Sequence, residues 1–375
     1  MEALRERLGE VEFFGCGGDR MRAAGCRTLA DARQIAMVGL VEVLPGLPRA
    51  WKALRSLRRA LRQKPPDLAI LIDFPDFNLR LARTVKRAGR PVIYFVAPQV
   101  WAWRRGRLKT LRRDVDRLLC IFPFEEAFFQ DAGVAAKFVG HPLVGRVAPR
   151  LTATAFRSRF GLPETAPLIA LLPGSRRGEI HLNLPPMIET AQRLKADGQY
   201  HFVIPAASSA ASGWIEALLA RTSGPFTVVE DHTYDAVAHA TVAVVASGTV
   251  AVETALLGTP MVIVYRVNRL TGWLGKFLIR TPFYSTVNLV ANRQIVPELI
   301  QEQFRPEIVA REVQRLVMDS QARERMQETL REFSLQLALS KPGDVSPKTI
   351  YHPPKEDAIQ RSVAVIESYI GRGVL

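Results

Sequence analysis

The sequence predicts an α/β protein of two Rossmann-like lobes facing a cleft, each built on a doubly wound parallel sheet. Three features predict it. Short apolar runs alternate with amphipathic helical stretches of about 10–15 residues, the pattern of βαβ units. The pattern stops at a Pro-containing connector, Gly161-Leu162-Pro163-Glu164-Thr165-Ala166-Pro167, and then starts again. The length, 375 residues, suits two domains rather than one.

Taken in order, Leu4, Leu8 and Val11 with charges between them read as the last turns of an amphipathic helix. Val11-Glu12-Phe13-Phe14 reads as a strand ending in Gly15-Cys16-Gly17-Gly18. A parallel α/β domain ordinarily opens on a strand, so either the fold starts unconventionally or its first strand is absent. Asp67 to Asp73 is a short apolar run between polar turns, the mark of a buried parallel strand. A helix follows from Leu79 to Arg87, then strands at Pro91–Val96, Val115–Phe122 and Ala136–Val139. The second lobe has strands at Leu168–Leu172, His201–Ile204, Thr227–Val229, Val242–Ala246 and Met261–Tyr265. Pro306 to Leu339 reads as charged helix, 341–354 as a loop and Asp357 to Ile370 as a last helix. The expected division is therefore 1–160, 161–310 and a helical tail at 311–375.

Composition narrows the function. Hydrophobic residues at 48% and charged residues at 23% exclude wholesale disorder. The 25 Gly and 25 Pro follow no period, which excludes collagen-like and low-complexity chains. Cys16, Cys26 and Cys120 are too few for a disulfide framework and lie in no CxxC or Cys/His cluster, so no structural metal is implied. Lys+Arg exceed Asp+Glu by 51 − 36 = 15, which favours an anionic partner: nucleic acid, a phosphorylated substrate or anionic lipid. No uncharged apolar run of about 18 residues suggests a membrane span. Met1 to Val11 lacks the form of a signal peptide. The expected place is the cytoplasm, with any membrane contact made from the surface.

Four segments can carry chemistry. Leu172-Pro173-Gly174-Ser175-Arg176-Arg177 joins a strand end to a tight turn and two arginines. Backbone N–H groups of such a turn can approach a phosphate closely, with an Arg fork adding bidentate charge, or the segment is a plain βα turn with solvated arginines. It lacks the Lys-Ser/Thr ending of a P-loop, so ATP is not implied. Ala246-Ser247-Gly248-Thr249 runs from a buried strand into a helix that Ser or Thr can cap, and the helix start offers an anion seat. Glu253, one turn on, can accept bonds from ribose hydroxyls, or else the segment is an ordinary N-cap followed by a surface Glu. Two such loops in one lobe point to a nucleoside diphosphate. Asp73-Phe74-Pro75-Asp76-Phe77-Asn78 ends a buried strand, and either Asp can serve as general base or simply bond its own turn.

The fourth segment is basic and aromatic. Residues 49–64 hold Arg49, Lys52, Arg55, Arg58, Arg59, Arg62 and Lys64 with no acid, and Leu47, Trp51, Leu54, Leu57 and Leu61 recur at helical spacing. An apolar run from Ile35 to Leu44 precedes them. This suits docking on an anionic membrane through Val38, Leu40, Val41, Val43, Leu44, Leu47 and Trp51, or else a core stripe with a solvated face. Trp101-Ala102-Trp103-Arg104-Arg105-Gly106-Arg107 can stack and bind phosphates, but no nucleic-acid-binding motif accompanies it. His141 ends a strand and reads as structural.

Together these segments resemble the lipid-A-disaccharide synthase family. The match rests on the 73–78 segment, Ala97-Pro98-Gln99-Val100-Trp101-Ala102-Trp103-Arg104, Phe122-Pro123-Phe124-Glu125, Gly140-His141-Pro142 and Leu172-Pro173-Gly174-Ser175-Arg176. It continues with Ala246-Ser247-Gly248-Thr249 to Glu253, Asn288-Leu289-Val290 and Val296-Pro297-Glu298-Leu299, all in the family's order over about 10–335. The resemblance implies a GT-B-type glycosyltransferase, with the nucleotide-sugar in the C-terminal lobe. The implied reaction joins UDP-2,3-diacylglucosamine to 2,3-diacylglucosamine 1-phosphate with inversion and releases UDP, using no cofactor and no metal. Asp76 would be the base. Gly174, Ser175, Arg176, Ser247, Gly248, Thr249, Glu253, Asn288 and Gln99 would bind substrate. The implied partners are these two sugars, the inner face of the cytoplasmic membrane and a second copy of the chain, with no nucleic acid. The chain begins after the family's first strand and its Gly-Glu-Ala-Ser-Gly-Asp loop, and Val287 replaces the family's usual Pro. Two alternatives stand beside this reading: a homologue that binds UDP or anionic lipid without catalysis, and another UDP-sugar enzyme of the same fold, such as an epimerase.

Overall fold

A computed structural model describes residues 1–32, 35, 43–197, 200–267, 281–338 and 357–370. The chain forms two compact units, Met1–Pro142 with Pro354–Leu375, and Leu143–Pro353.

The first unit contains α1 (Glu2–Leu8), β1 (Phe13–Gly17), α2 (Asp19–Ala23), β2 (Cys26–Asp31), α3 (Val43–Gln63), β3 (Ala69–Ile72) and α4 (Pro75–Arg87). It continues with β4 (Val92–Phe95), α5 (Arg107–Asp114), β5 (Arg117–Cys120), α6 (Pro123–Asp131) and β6 (Ala136–Phe138). Among the described residues its strands form two parallel sheets, β1–β2 and β3–β4–β5–β6. β4 and β5 are buried because helices cover both faces, which is why their sequences are nearly all apolar. β3 is an edge, and its Ile72 is exposed. Leu54, Leu57 and Leu61 of α3 pack with Leu71, Phe77, Tyr94 and Leu118 into one core.

The second unit contains α7 (Ala153–Arg159), β7 (Leu168–Leu172), α8 (Arg177–Asp197), β8 (His201–Ala206), α9 (Ser209–Leu219), β9 (Phe226–Glu230) and α10 (Thr233–Ala238). Then come β10 (Val242–Ala246), α11 (Thr249–Leu256), β11 (Met261–Tyr265), α12 (Thr286–Ala291), β12 (Glu298–Ile300), α13 (Pro306–Met318) and α14 (Ser320–Ala338). One parallel sheet has the order β12-β11-β10-β7-β8-β9.

The units divide elsewhere than at the expected 160/161. Buried Asp235 of α10 accepts the N–H groups of Arg150 and Leu151, both at 2.7 Å. Phe156 and Leu162 complete an apolar cluster with Leu168, Val203, Val229 and Ala236. The stretch from 143 to 160 therefore belongs to the second unit. Nor is 311–375 a separate tail. Helices α13 and α14 pack on the second unit, with the Met326 sulfur 3.3 Å from the Met261 N–H. The last helix, α15 (Ala358–Ile370), packs on the first: Val363 and Ile366 join Leu4, Ile93, Leu119 and Val139, and Arg361 Nε donates to the Val139 carbonyl at 2.7 Å. The segment 341–354 lies outside the described residues.

Candidate active site

In the second unit β7 stands where the sheet reverses direction. The chain runs outward from β7 through β8 to β9, then returns to lay β10 on the other side of β7. A crevice opens at the carboxyl ends of strands that part in this way. Leu172 pairs with Val245, so the loops leaving the two strands are neighbours. One is Pro173-Gly174-Ser175-Arg176 and the other is Ser247-Gly248-Thr249. The sheet thus brings together the two loops whose composition suits a diphosphate.

Local contacts shape the first loop. Gly174 has φ +111°, and a Cβ added there would lie 2.7 Å from the Cβ of Glu179. No L side chain fits that turn. Fully buried Asn183 fixes the loop to the end of β11: its Nδ2 donates to the Pro173 carbonyl at 3.1 Å, and its Oδ1 accepts the Arg266 N–H at 2.8 Å. Glu179 draws the donors inward. Its Oε2 accepts from the N–H groups of Ser175 (3.1 Å) and Arg176 (3.2 Å), and its Oε1 accepts from Arg176 Nη1 (2.8 Å). Two amides and a guanidinium therefore converge on one carboxylate, a donor set that also fits a phosphate. Sequence reasoning assigned Glu179 no role, although its place three residues after Arg176 was a signal.

The second loop differs in one detail from expectation. Gly248 is the N-cap of α11, and no side chain caps the helix. Thr249 already lies inside it, and Ser247 is one residue too early, so neither makes the expected cap. Glu253 is partly buried; burial raises its carboxyl pKa, opposed by a hydrogen bond with Tyr234. Tyr265, at the end of β11, is raised by burial and by Glu179, with Arg176 opposing.

Asn288 corrects the expectation of a substrate contact. It is fully buried. Its Nδ2 donates to the Val296 carbonyl at 2.9 Å and to Glu298 Oε1 at 2.7 Å, and its Oδ1 accepts from the N–H groups of Ile295 and Val296 at 2.8 and 3.0 Å. An Asn amide has two donor hydrogens and two acceptor lone pairs, so all are spent inside the protein. Asn288 holds the turn from Ser285 to Glu298 in place rather than reaching outward.

In the first unit, Asp76 lies in the first turn of α4, just past the end of β3. The turn before it is strained, with Asp73 and Phe74 at φ +46° and +45°. Asn78 Nδ2 steadies it by donating to the carbonyls of Ile72 (3.0 Å) and Asp73 (2.7 Å), and Tyr94 Oη donates to the Asp73 carbonyl at 2.5 Å. The Asp76 carboxylate is open to solvent on one side. On the other it meets two guanidiniums, Arg104 Nη1 at 2.9 Å and Arg107 Nη2, both on Oδ1. Gln99 is exposed on the same loop as Arg104.

That loop is anchored by a carboxylate that sequence reasoning gave no role. Glu125 is fully buried at N3 of α6. Its Oε1 accepts from Trp101 Nε1 at 3.0 Å, and its Oε2 accepts from the N–H groups of Ile121 and Phe122, both at 3.2 Å. Burial pushes its carboxyl up to about 7, against these three donors. The native state therefore holds a proton that the unfolded chain releases between pH 4.5 and about 7, so rising pH costs stability across that window. Glu125→Gln removes the titration. In urea melts its stability relative to wild type should improve by up to ~3 kcal/mol from pH 5 to pH 8. An unchanged difference across that range would show that Glu125 does not titrate there. His141 is buried 5.5 Å from the Phe122 ring, and burial holds its imidazole down at about 4, in keeping with a structural role.

The basic helix α3 divides its residues as its spacing suggests. Leu54, Leu57 and Leu61 point into the core, while Trp51 is 55% exposed beside Arg55, Arg58, Arg59 and Arg62. Val38, Leu40 and Val41, and the side chains of Val43, Leu44 and Leu47, lie outside the described residues. No described helix is long and apolar enough to cross a membrane.

Comparison with known proteins adds to this geometry. The profile of the lipid-A-disaccharide synthetase family matches residues 1–342. Proteins named lipid-A-disaccharide synthase from Solibacter usitatus and Myxococcus xanthus are each 46% identical to the chain. The first match covers 90% of this chain and 88% of the relative, and the second 88% and 87%. Among solved structures, the calicheamicin glycosyltransferase CalG4 matches with a TM-score of 0.58 at 17% identity, over 100% of this chain and 94% of its own. A UDP-GlcNAc 2-epimerase from Neisseria meningitidis matches with a TM-score of 0.57 at 12% identity, over 88% of this chain and 98% of its own. At such identities the two structures speak for the α/β fold alone.

Proposed function

The chain belongs to the lipid-A-disaccharide synthase family of glycosyltransferases, and from that membership we propose that it transfers 2,3-diacylglucosamine from its UDP derivative to the 6-hydroxyl of 2,3-diacylglucosamine 1-phosphate. The observation that carries this reading is the pairing of two anion-suited loops at the switch point of the second unit's sheet. The diphosphate takes the place of the Glu179 carboxylate on Ser175, Arg176 and their amides, and the start of α11 adds its dipole. Glu253 receives the ribose hydroxyls. Gln99 lies on the loop that also carries Arg104 and contributes to the acceptor side.

The reaction balances simply. The acceptor's 6-oxygen forms a bond to the donor's anomeric carbon while the bond from that carbon to the diphosphate breaks. The electron pair leaves with UDP, and the hydroxyl proton goes to the Asp76 carboxylate. Attack opposite the leaving group inverts the anomeric centre. Charge grows on the departing diphosphate, where Arg176 stabilises it most.

Both substrates carry acyl chains, and the face of α3 with Trp51 and its arginines suits an anionic bilayer surface. Sedimentation with phosphatidylglycerol vesicles at low salt should carry the protein down, and Trp51→Ala should weaken this. A protein that stays in the supernatant would refute the docking. The reaction itself is tested by incubating the protein with both diacylated sugars. UDP release that requires both substrates supports it; none overturns it.

A further inference from the structure

We propose that Arg104 and Arg107 form the seat for the acceptor's phosphate monoester, and that Asp76 fills this seat until the phosphorylated sugar displaces it. The inference rests on the reading of Asp76 as the base. Two guanidiniums converge on a single oxygen of Asp76. They do not depend on Asp76 for their position. The Arg104 guanidinium lies 4.3 Å and the Arg107 guanidinium 5.7 Å from the Trp103 ring centroid, and the Arg107 side chain is only 15% exposed. Trp103 follows Ala102 and Trp101, which Glu125 holds from below. The fork is therefore built into the loop and the start of α5.

Its charge is not balanced by its present occupant. Two cations face one carboxylate, and a third guanidinium, Arg80, donates to the Asp76 carbonyl at 2.9 Å. A phosphate monoester carries nearly two negative charges and three acceptor oxygens, which matches two Arg forks better than one carboxylate oxygen does. The Arg104 contact exchanges easily, because Asp76 is 59% and Arg104 48% exposed and an exposed ion pair is weakly held.

The exchange also resolves a difficulty in the chemistry. Two guanidiniums already donate to a carboxylate oxygen that has to be free to take the acceptor's proton. When a phosphate takes the arginines, the carboxylate is released beside it. On a glucosamine 1-phosphate the phosphate and the 6-hydroxyl are borne by the two sides of the ring oxygen. A phosphate on the fork therefore leaves the hydroxyl within one ring's width, on the side of the freed carboxylate. The acceptor would unmask its own base.

The test compares 2,3-diacylglucosamine 1-phosphate with the same acceptor lacking its phosphate. Wild type should prefer the phosphorylated acceptor in kcat/KM by roughly 100-fold, and Arg104→Ala/Arg107→Ala should lose most of that ratio with the donor KM unchanged. Lys at both positions should restore part of it. An unchanged ratio in the double variant overturns the proposal. If the double variant does not fold, Arg104→Ala alone should still lower the ratio about tenfold, and an unchanged ratio is again fatal. A second measurement does not require turnover. Glucosamine 1-phosphate titrated into Asp76→Asn should bind about tenfold more tightly than to wild type, because the competing anion is gone. Equal or weaker binding overturns the proposal, even if wild type proves to release no UDP and the wider functional reading fails.

Discussion

Asp76→Asn should lower kcat about a thousandfold while leaving the donor KM at its wild-type value. The substitution keeps the shape of the side chain and an oxygen that can accept from Arg104 and Arg107, so the loop should stay as it is. It removes only the proton acceptor. Because Asp76 is exposed in the first turn of α4 rather than packed in the core, the variant should melt with wild type. A purified variant with near-normal UDP release would remove Asp76 as the base.

Arg176→Ala should lower kcat/KM by about two to three powers of ten, the usual cost of losing one well-placed donor to developing charge. The effect should fall on the donor side and leave the acceptor KM alone. Arg176 is 58% exposed, so its loss leaves the fold intact. Arg176→Lys should recover charge without the planar fork, and so only part of the rate. An acceptor KM that rises while the donor KM holds would move Arg176 out of the diphosphate seat.

Much of the fold was legible. β7, β10 and β11 are buried in the middle of a parallel sheet, so their sequences are unbroken apolar runs and their limits match expectation. The strands missed were edge-like. β2 (Cys26-Arg27-Thr28-Leu29-Ala30-Asp31) is mostly half-exposed and mixes charge with apolar residues, and β12 is only three residues long. The allocation of 143–160 and of the two ends of the supposed tail could not be read locally. It is decided by Asp235 capping a loop 84–85 residues away and by α15 packing on α1.

The site was legible in part for the same reason. Turn chemistry and charge are local, so the loops at 172–176 and 246–249 stood out. Their adjacency comes from the pairing of β7 with β10, which no local pattern shows. Arg104 and Arg107 were visible as a basic, aromatic stretch, but their partner lies 28 and 31 residues earlier in the sequence. Glu125 is the clearest omission, since Phe122-Pro123-Phe124-Glu125 carries a helix-start pattern with Glu at N3. Asn288 shows the opposite error: a residue taken for a substrate contact proves to be spent on its own turn.

The central claim is a division of labour, with UDP gripped by the second unit and the proton taken by the first. The most direct test is calorimetric titration of UDP into Asp76→Asn and Arg176→Ala. Wild-type affinity in the first and affinity at least tenfold weaker in the second are expected. Weakened UDP binding in Asp76→Asn, or wild-type binding in Arg176→Ala, would contradict it.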